Sequence, residues 1–274
     1  MSEKNDESLK EDFEEDFEED FVEEEDLEEE EEEFKIPTEP IKKDSSTEDL
    51  DEELKQIYLS SGIHIGTKIL SGNLRKIHQN SDGNAPNDFI YRQTNYGLYV
   101  LNIRRTEERI RIAAKWIAKF LGDSKAKGEP LKIVVSSVRR YGKEPVKKFA
   151  EVLGPNVIAK DIRFIPGSLT NPNMEEYIRN VALVIIVDPH ADKQALREAR
   201  IARIPVLSLI DTDDDLTNVD LAIPANNRGK KALGLVFFLI AREVLKELGE
   251  ISSDEEFPYT REEFESKITP IVRD

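Results

Sequence analysis

Hydrophobic and polar positions along the chain change period several times, and each change marks an element. Leu50, Leu54, Ile57 and Tyr58 recur at three- and four-residue steps, a helical stripe that Gly62 ends. Ser46 followed by Asp49 resembles a capping box, so this helix is predicted to begin near Thr47. Between Gly62 and Asp88 the chain is rich in Gly, Asn and Ser and keeps no clear period, which predicts an irregular stretch. From Phe89 a rhythm sets in. Leu98 to Ile103 reads as a strand, and the helix after it has Thr106 as its expected cap, with Glu107 and Glu108 in the first turn. Ile110, Ala114, Ile117 and Leu121 form that helix's apolar face. Leu131 to Ser136 is a second strand. The next helix is predicted from Pro145 to Gly154, proline first and glycine last. A short strand near Val157 to Phe164 and a helix near Met174 to Arg179 follow, and Ala182 to Asp188 is an almost uninterrupted β-branched run. A helix from Asp192 to Arg203 leads into a strand from Val206 to Asp211. A short strand at Leu221 to Ile223 and a long helix from about Arg228 to Leu248 complete the pattern.

Strands that are apolar on both faces and alternate with helices predict a parallel sheet covered on both sides. Residues 47–249 therefore read as one doubly wound α/β domain of about 200 residues. Residues 1–46 read as a disordered acidic tail. Between positions 18 and 33 only Phe21, Val22 and Leu27 are apolar, too few to offset chain entropy and like-charge repulsion. Phe13, Phe17 and Phe21 recur four residues apart and could form one stripe on a basic partner, although a solvated tail with incidental aromatics is the simpler reading. Pro37 and Pro40 mark a linker. Residues 250–274 read as a polar C-terminal tail with Phe257, Tyr259, Phe264 and Ile268 as anchors.

Charge sharpens this division. The 274 residues carry a formal net charge of −18, but residues 1–54 hold 28 acids and 5 lysines, for −23. Residues 55–249 hold 31 bases against 21 acids, for +10, and residues 250–274 carry −5. A basic body between acidic ends points to a polyanion partner. A −23 segment tethered to such a body would compete locally for its phosphate sites. The longest apolar run, Ala232 to Ala241 with Gly234 inside, is about half of what a membrane span needs, so no membrane partner is expected. An N-terminus that is acidic from its third residue predicts no secretory signal, and a cytoplasmic protein. Without cysteine there is no disulfide, thiolate metal site or cysteine nucleophile.

Candidate chemistry sits where a doubly wound sheet places ligands, at the carboxyl ends of its strands. Arg104 and Arg105 follow the first predicted strand, Arg139, Arg140 and Lys143 the second, and Arg228, Lys230 and Lys231 precede the last helix. The helix macrodipole disfavours cations at an N-terminus by about 0.3–1 kcal/mol each. Their placement makes sense if an anion such as nucleic-acid phosphate sits there. Arg75, Lys76 and Arg163 complete the candidate set, and His78 is read as touching phosphate or water. No Gly-x-Gly-x-x-Gly or phosphate-binding glycine loop is present, so no cofactor and no small-molecule substrate are expected. The carboxylates at Asp188 and Asp211, with His190, allow the alternative of a metal-assisted enzyme, although Asp after a strand commonly caps a turn, and no metal is the main expectation.

Ser61-Gly62-Ile63-His64-Ile65-Gly66 and Leu98-Tyr99-Val100-Leu101-Asn102-Ile103 with Arg105-Thr106 resemble successive signatures of the small-subunit ribosomal protein S-two family. Phe164-Ile165-Pro166-Gly167-Ser168-Leu169-Thr170-Asn171-Pro172 is the most specific block. Val187-Asp188-Pro189, Glu198-Ala199, Ile204-Pro205-Val206, Asp211-Thr212-Asp213 and Ile223-Pro224-Ala225-Asn226-Asn227 follow in family order. The wording is similar to the archaeal and eukaryotic branch, which includes the laminin-receptor-like protein. Only eight residues separate Pro172 from Val181, which leaves no room for the long helical hairpin of bacterial members. The resemblance implies a flavodoxin-like domain and a structural rather than enzymatic role in translation. Its implied partners are small-subunit ribosomal RNA and neighbouring ribosomal proteins.

Overall fold

The computed structural model describes residues 52–79, 88–127, 130–161 and 163–267. The expected disordered tail and the cap at Ser46 and Asp49 lie outside them. The helix that Gly62 ends is α1 (Glu52–Ser61), and Gly62 turns with φ of 69°, a conformation that glycine adopts without strain. A second helix, α2 (Gly72–Gln79), stands where the sequence predicted an irregular stretch. Only its Leu74 is fully buried, so its stripe is too thin to register as a period.

The predicted strand at 98–103 is shorter and belongs elsewhere. β1 (Ile90–Gln93) and β2 (Tyr99–Leu101) form a separate antiparallel ribbon rather than the first strand of the main sheet. α3 (Ile103–Lys127) then starts three residues before Thr106. Asn102, not Thr106, caps it: Asn102 Oδ1 accepts the Arg104 N–H at 3.2 Å. The Thr106 hydroxyl instead donates 2.6 Å to the carbonyl of Pro224 and ties the helix to the sheet.

Five parallel strands form that sheet: β3 (Lys132–Ser136), β4 (Val157–Lys160), β5 (Val181–Ile186), β6 (Val206–Ile210) and β7 (Leu221–Pro224), in the spatial order β4-β3-β5-β6-β7. This is the 2-1-3-4-5 order of a flavodoxin-like sheet, with the direction of winding reversing between β3 and β5. Successive residues of each strand face opposite sides, as the pleat requires. Ile133, Val135, Leu183, Ile185, Leu207 and Ile223 pack under α3, α4 (Lys143–Leu153) and α6 (Lys230–Glu247). Val134, Val184 and Ile186 face Ala195, Leu196 and Ala199 of α5 (Lys193–Ile201) on the other side. Leu74 of α2 and Phe89, Ile90 and Leu101 of the ribbon cover Ile210 and Ala222 on the opposite edge of that same face.

The expected helix at Met174 to Arg179 is absent. The crossover from β4 to β5 runs as turns, with Phe164, Leu169 and Ile178 supplying the buried contacts. Beyond α6 the chain folds back. Phe257 and Phe264 are buried, with Phe238 of α6 edge-on to both at 5.2 and 5.9 Å between ring centres.

Candidate nucleic-acid interface

All five strands run parallel, so the segments that leave their carboxyl ends share one edge of the sheet. Arg139, Arg140 and Lys143 follow β3, Arg163 follows β4, and Arg228, Lys230 and Lys231 follow β7. Two further pairs arrive by tertiary contact. Arg104 and Arg105 lie at the start of α3, held there by the Thr106–Pro224 bond. Arg75 and Lys76 lie on α2, which reaches the end of β6: Ser71 N–H donates 2.8 Å to Thr212 O, and Asn73 bonds to Asp215. The fold therefore gathers along one edge eleven cations that are spread over 156 positions of sequence.

They fall into two groups. Arg139 is paired with Asp188, Arg228 with Asp213, and Arg104 and Arg105 with Glu108 at 3.4 and 2.7 Å. The Arg75 guanidinium bonds its own turn at Leu70 O. Among the described residues no carboxylate lies within ion-pair distance of Lys76, Arg140, Lys143, Arg163, Lys230 or Lys231. Together with Arg75, whose printed partner is a carbonyl, these six keep their charge without a carboxylate among the described residues.

Carboxylates that could have served a metal-assisted reaction hold the backbone instead. Asp188 is fully buried; its Oδ1 accepts the N–H groups of His190 and Ala191 at 2.7 and 2.9 Å, and its Oδ2 takes Arg139. Asp192 Oδ1 accepts from the Ser136 hydroxyl and from Val138 N–H. The crevice between the ends of β3 and β5, where a flavodoxin-like sheet binds its ligand, is thus filled by the protein's own side chains. Gly142 closes the packing: a Cβ there would stand 2.1 Å from Ser137 Oγ. At the end of β6, Asp214 Oδ2 accepts from Asp211 N–H and from Asn227 Nδ2 at 2.6 Å. Burial pushes the Asp192 and Asp214 carboxyls up to about 6 and that of Asp211 up to about 7. Among the described residues no three His, Asp or Glu side chains converge to hold a metal ion. His190 is exposed, while His78 Nδ1 lies 3.0 Å from the buried Asp88 carboxylate. One ring nitrogen of His78 is thus turned to a carboxylate, while the side chain stays 36% exposed.

Sequence reasoning missed the way in which the edge is held. Asn226 Oδ1 accepts the N–H groups of Arg228 and Gly229 at 3.0 and 2.9 Å and fixes the turn that leads into α6. Thr212 Oγ1 accepts from Thr67 N–H, and Gly66 fits against it so closely that a Cβ would meet Thr212 Cγ2 at 2.4 Å. The close approach of 66 and 212 joins segments 146 positions apart, which no local pattern encodes.

The chain was compared with known proteins. A family model described as ribosomal protein S2 matches residues 173–247. A protein of Staphylothermus marinus named small ribosomal subunit protein uS2 is 41% identical over 210 residues, which are 77% of this chain and 85% of that relative. Proteins of the same name from Thermofilum pendens and Thermoplasma acidophilum are 42% and 38% identical, covering 78% and 80% of this chain and 89% and 100% of their own.

Proposed function

Since the chain belongs to the ribosomal protein S2 family, we propose that it is a structural, non-enzymatic component of the small ribosomal subunit, acting in translation through contacts with ribosomal RNA and neighbouring ribosomal proteins. The observation that carries the RNA contact is the gathering of Arg140, Lys143, Arg163, Lys230 and Lys231 along the carboxyl edge with no carboxylate partner among the described residues. Phosphate contacts of this kind position a protein on RNA without reading sequence. The ion-paired arginines have another task. Arg139 neutralises Asp188, which holds its own loop, and Arg228 ties the start of α6 to Asp213 after β6. A cytoplasmic location follows from the ribosomal reading and stands with it. No helix among the described residues is long and apolar enough to cross a membrane.

Co-sedimentation tests the reading. The full chain should travel with small subunits at moderate salt, and failure to do so would remove the assignment. Exchange of Arg140 and Lys143 together for Ala should weaken binding to small-subunit ribosomal RNA. It should also lower the slope of log affinity against log salt by about one for each cation lost. An unchanged slope takes those two residues out of the interface.

A further inference from the structure

The β4-to-β5 crossover is built at a cost that a covering role does not require. A helix over the sheet would satisfy its own backbone bonds and bury the same apolar side chains. Residues 163–178 instead form turns that satisfy much of their backbone locally, but the Gly167 and Leu169 N–H groups need a partner from elsewhere. The partner is Glu198 of α5. Its carboxylate is 3% exposed and accepts the Gly167 N–H at 2.6 Å, the Leu169 N–H at 3.1 Å, the Thr170 hydroxyl at 3.4 Å and the Gln194 amide at 2.7 Å. Gly167 sits at φ of 94°, which adds a conformational demand that few other residues meet. Taking a carboxylate out of water costs several kcal/mol unless every lone pair is used. Here three of the four bonds run to one short loop and fix its shape, and the fourth, from Gln194 on α5 itself, steadies the carboxylate.

What that shape presents is polar but nearly uncharged. Phe164, Ser168 and Leu169 point inward, while Ile165, Pro166, Thr170, Asn171, Pro172 and Asn173 are exposed beside Arg163. Asn171 Oδ1 accepts the Asn173 N–H at 3.1 Å, which leaves the Asn171 amide N–H₂ without a partner among the described residues. The ridge lies at the end of β4, next to the cations that follow β3. Amide donors and acceptors, a hydroxyl and a flat Ile-Pro step suit ribose 2′-hydroxyls, base edges and an unstacked base. They add nothing to phosphate attraction. Resting on the ribosomal reading above, we infer that residues 165–173 form a second, non-ionic RNA contact, and that Glu198 is the positioning residue that holds this loop in its binding shape.

Salt dependence separates this contact from the cationic one. The full chain carrying Asn171→Ala and Asn173→Ala should bind transcribed small-subunit ribosomal RNA about tenfold or more weakly at every salt concentration. The slope of log affinity against log salt should match that of the unaltered chain, because no cation is lost. Glu198→Gln puts an amide donor against N–H groups that need an acceptor. It should reproduce the same loss at constant slope, with faster hydrogen exchange at Gly167 and Leu169 while the strands of the sheet stay protected. Undiminished affinity in the doubly exchanged chain overturns the RNA contact, even if Glu198→Gln is poorly folded. Normal RNA affinity but loss from assembled subunits shows that the ridge meets a protein, which also overturns it. Failure of the broader reading is visible separately, as absence of salt-dependent RNA binding by the unaltered chain.

Discussion

Burial at the carboxyl edge raises Asp211 to about 7 and Asp214 and Asp192 to about 6, well above the ordinary value of about 3.9. The folded chain therefore keeps protons that the unfolded chain has released. The stability these groups contribute is complete below about pH 4 and is lost as pH rises through 6 and 7. Asp214→Asn keeps an acceptor for Asp211 N–H and Asn227 while removing the buried charge. At pH 8 it should stabilise the chain by about 1–3 kcal/mol, with the gain gone near pH 4. Urea denaturation at the two pH values reads this out, and a loss of stability at pH 8 would mean that the charge itself is used. Two neighbouring arginines divide in the same way. Arg139→Ala strands the fully buried Asp188 and should cost roughly 1–3 kcal/mol, discounted because the guanidinium is 32% exposed. Arg140→Ala should leave the melting temperature unchanged and weaken RNA binding. Nothing in Arg139-Arg140 as a dipeptide says which one turns inward; the distinction depends on Asp188, 49 positions away.

Among the elements, α6 is apolar on all sides from Ala232 to Ala241 because that stretch is covered by its neighbours. α3 and α4 flank it, and the segment at 257–266 crosses it. The crossing needs Gly234, where a Cβ would stand 2.9 Å from Glu265 Cγ and 3.2 Å from the Phe264 carbonyl. Helix propensity favours replacing a mid-helix glycine by leucine, but the overpacking this causes costs more than the propensity gains. Gly234→Leu should destabilise the chain by about 1–3 kcal/mol in urea denaturation, and a gain in stability would mean that the segment does not cross there. The long helices were legible because their stripes are dense: Ile110, Ala114, Ile117 and Leu121 are all buried on α3, as the period requires. α2 was not, since one buried Leu74 among Gly72, Asn73 and charged neighbours makes no period. The spacing of Met174, Tyr177 and Ile178 imitated a helix. The loop follows the distant Glu198 rather than its own propensity.

For the molecule as a whole, charge is the property that the net figure of −18 conceals. Residues 1–46 hold 23 acids and 5 bases, so a chain without them has a formal charge of zero. Such a chain should bind unrelated RNA more tightly than the full chain at low salt, where screening is weakest. Equal affinity would sink the idea that the acidic segment tempers non-specific binding. Some properties needed only the sequence. Alternation of doubly apolar strands with helices specified a parallel α/β sheet, because hydrophobic period and the reach of the chain act locally. The ordered motifs pointed to the family for a similar reason, since they are strings of adjacent residues. The candidate cations could also be named from the sequence, one by one. The tertiary structure alone decided that Arg139 is taken by Asp188 and Arg228 by Asp213, while Arg140 beside the first is left without a carboxylate among the described residues. It also decided that a buried Glu198 shapes the loop after β4, and that the crevice of the sheet is filled from within. Each of these depends on through-space pairing between groups 15 to 56 positions apart, and electrostatics and hydrogen bonding at a few ångströms leave no trace in local order.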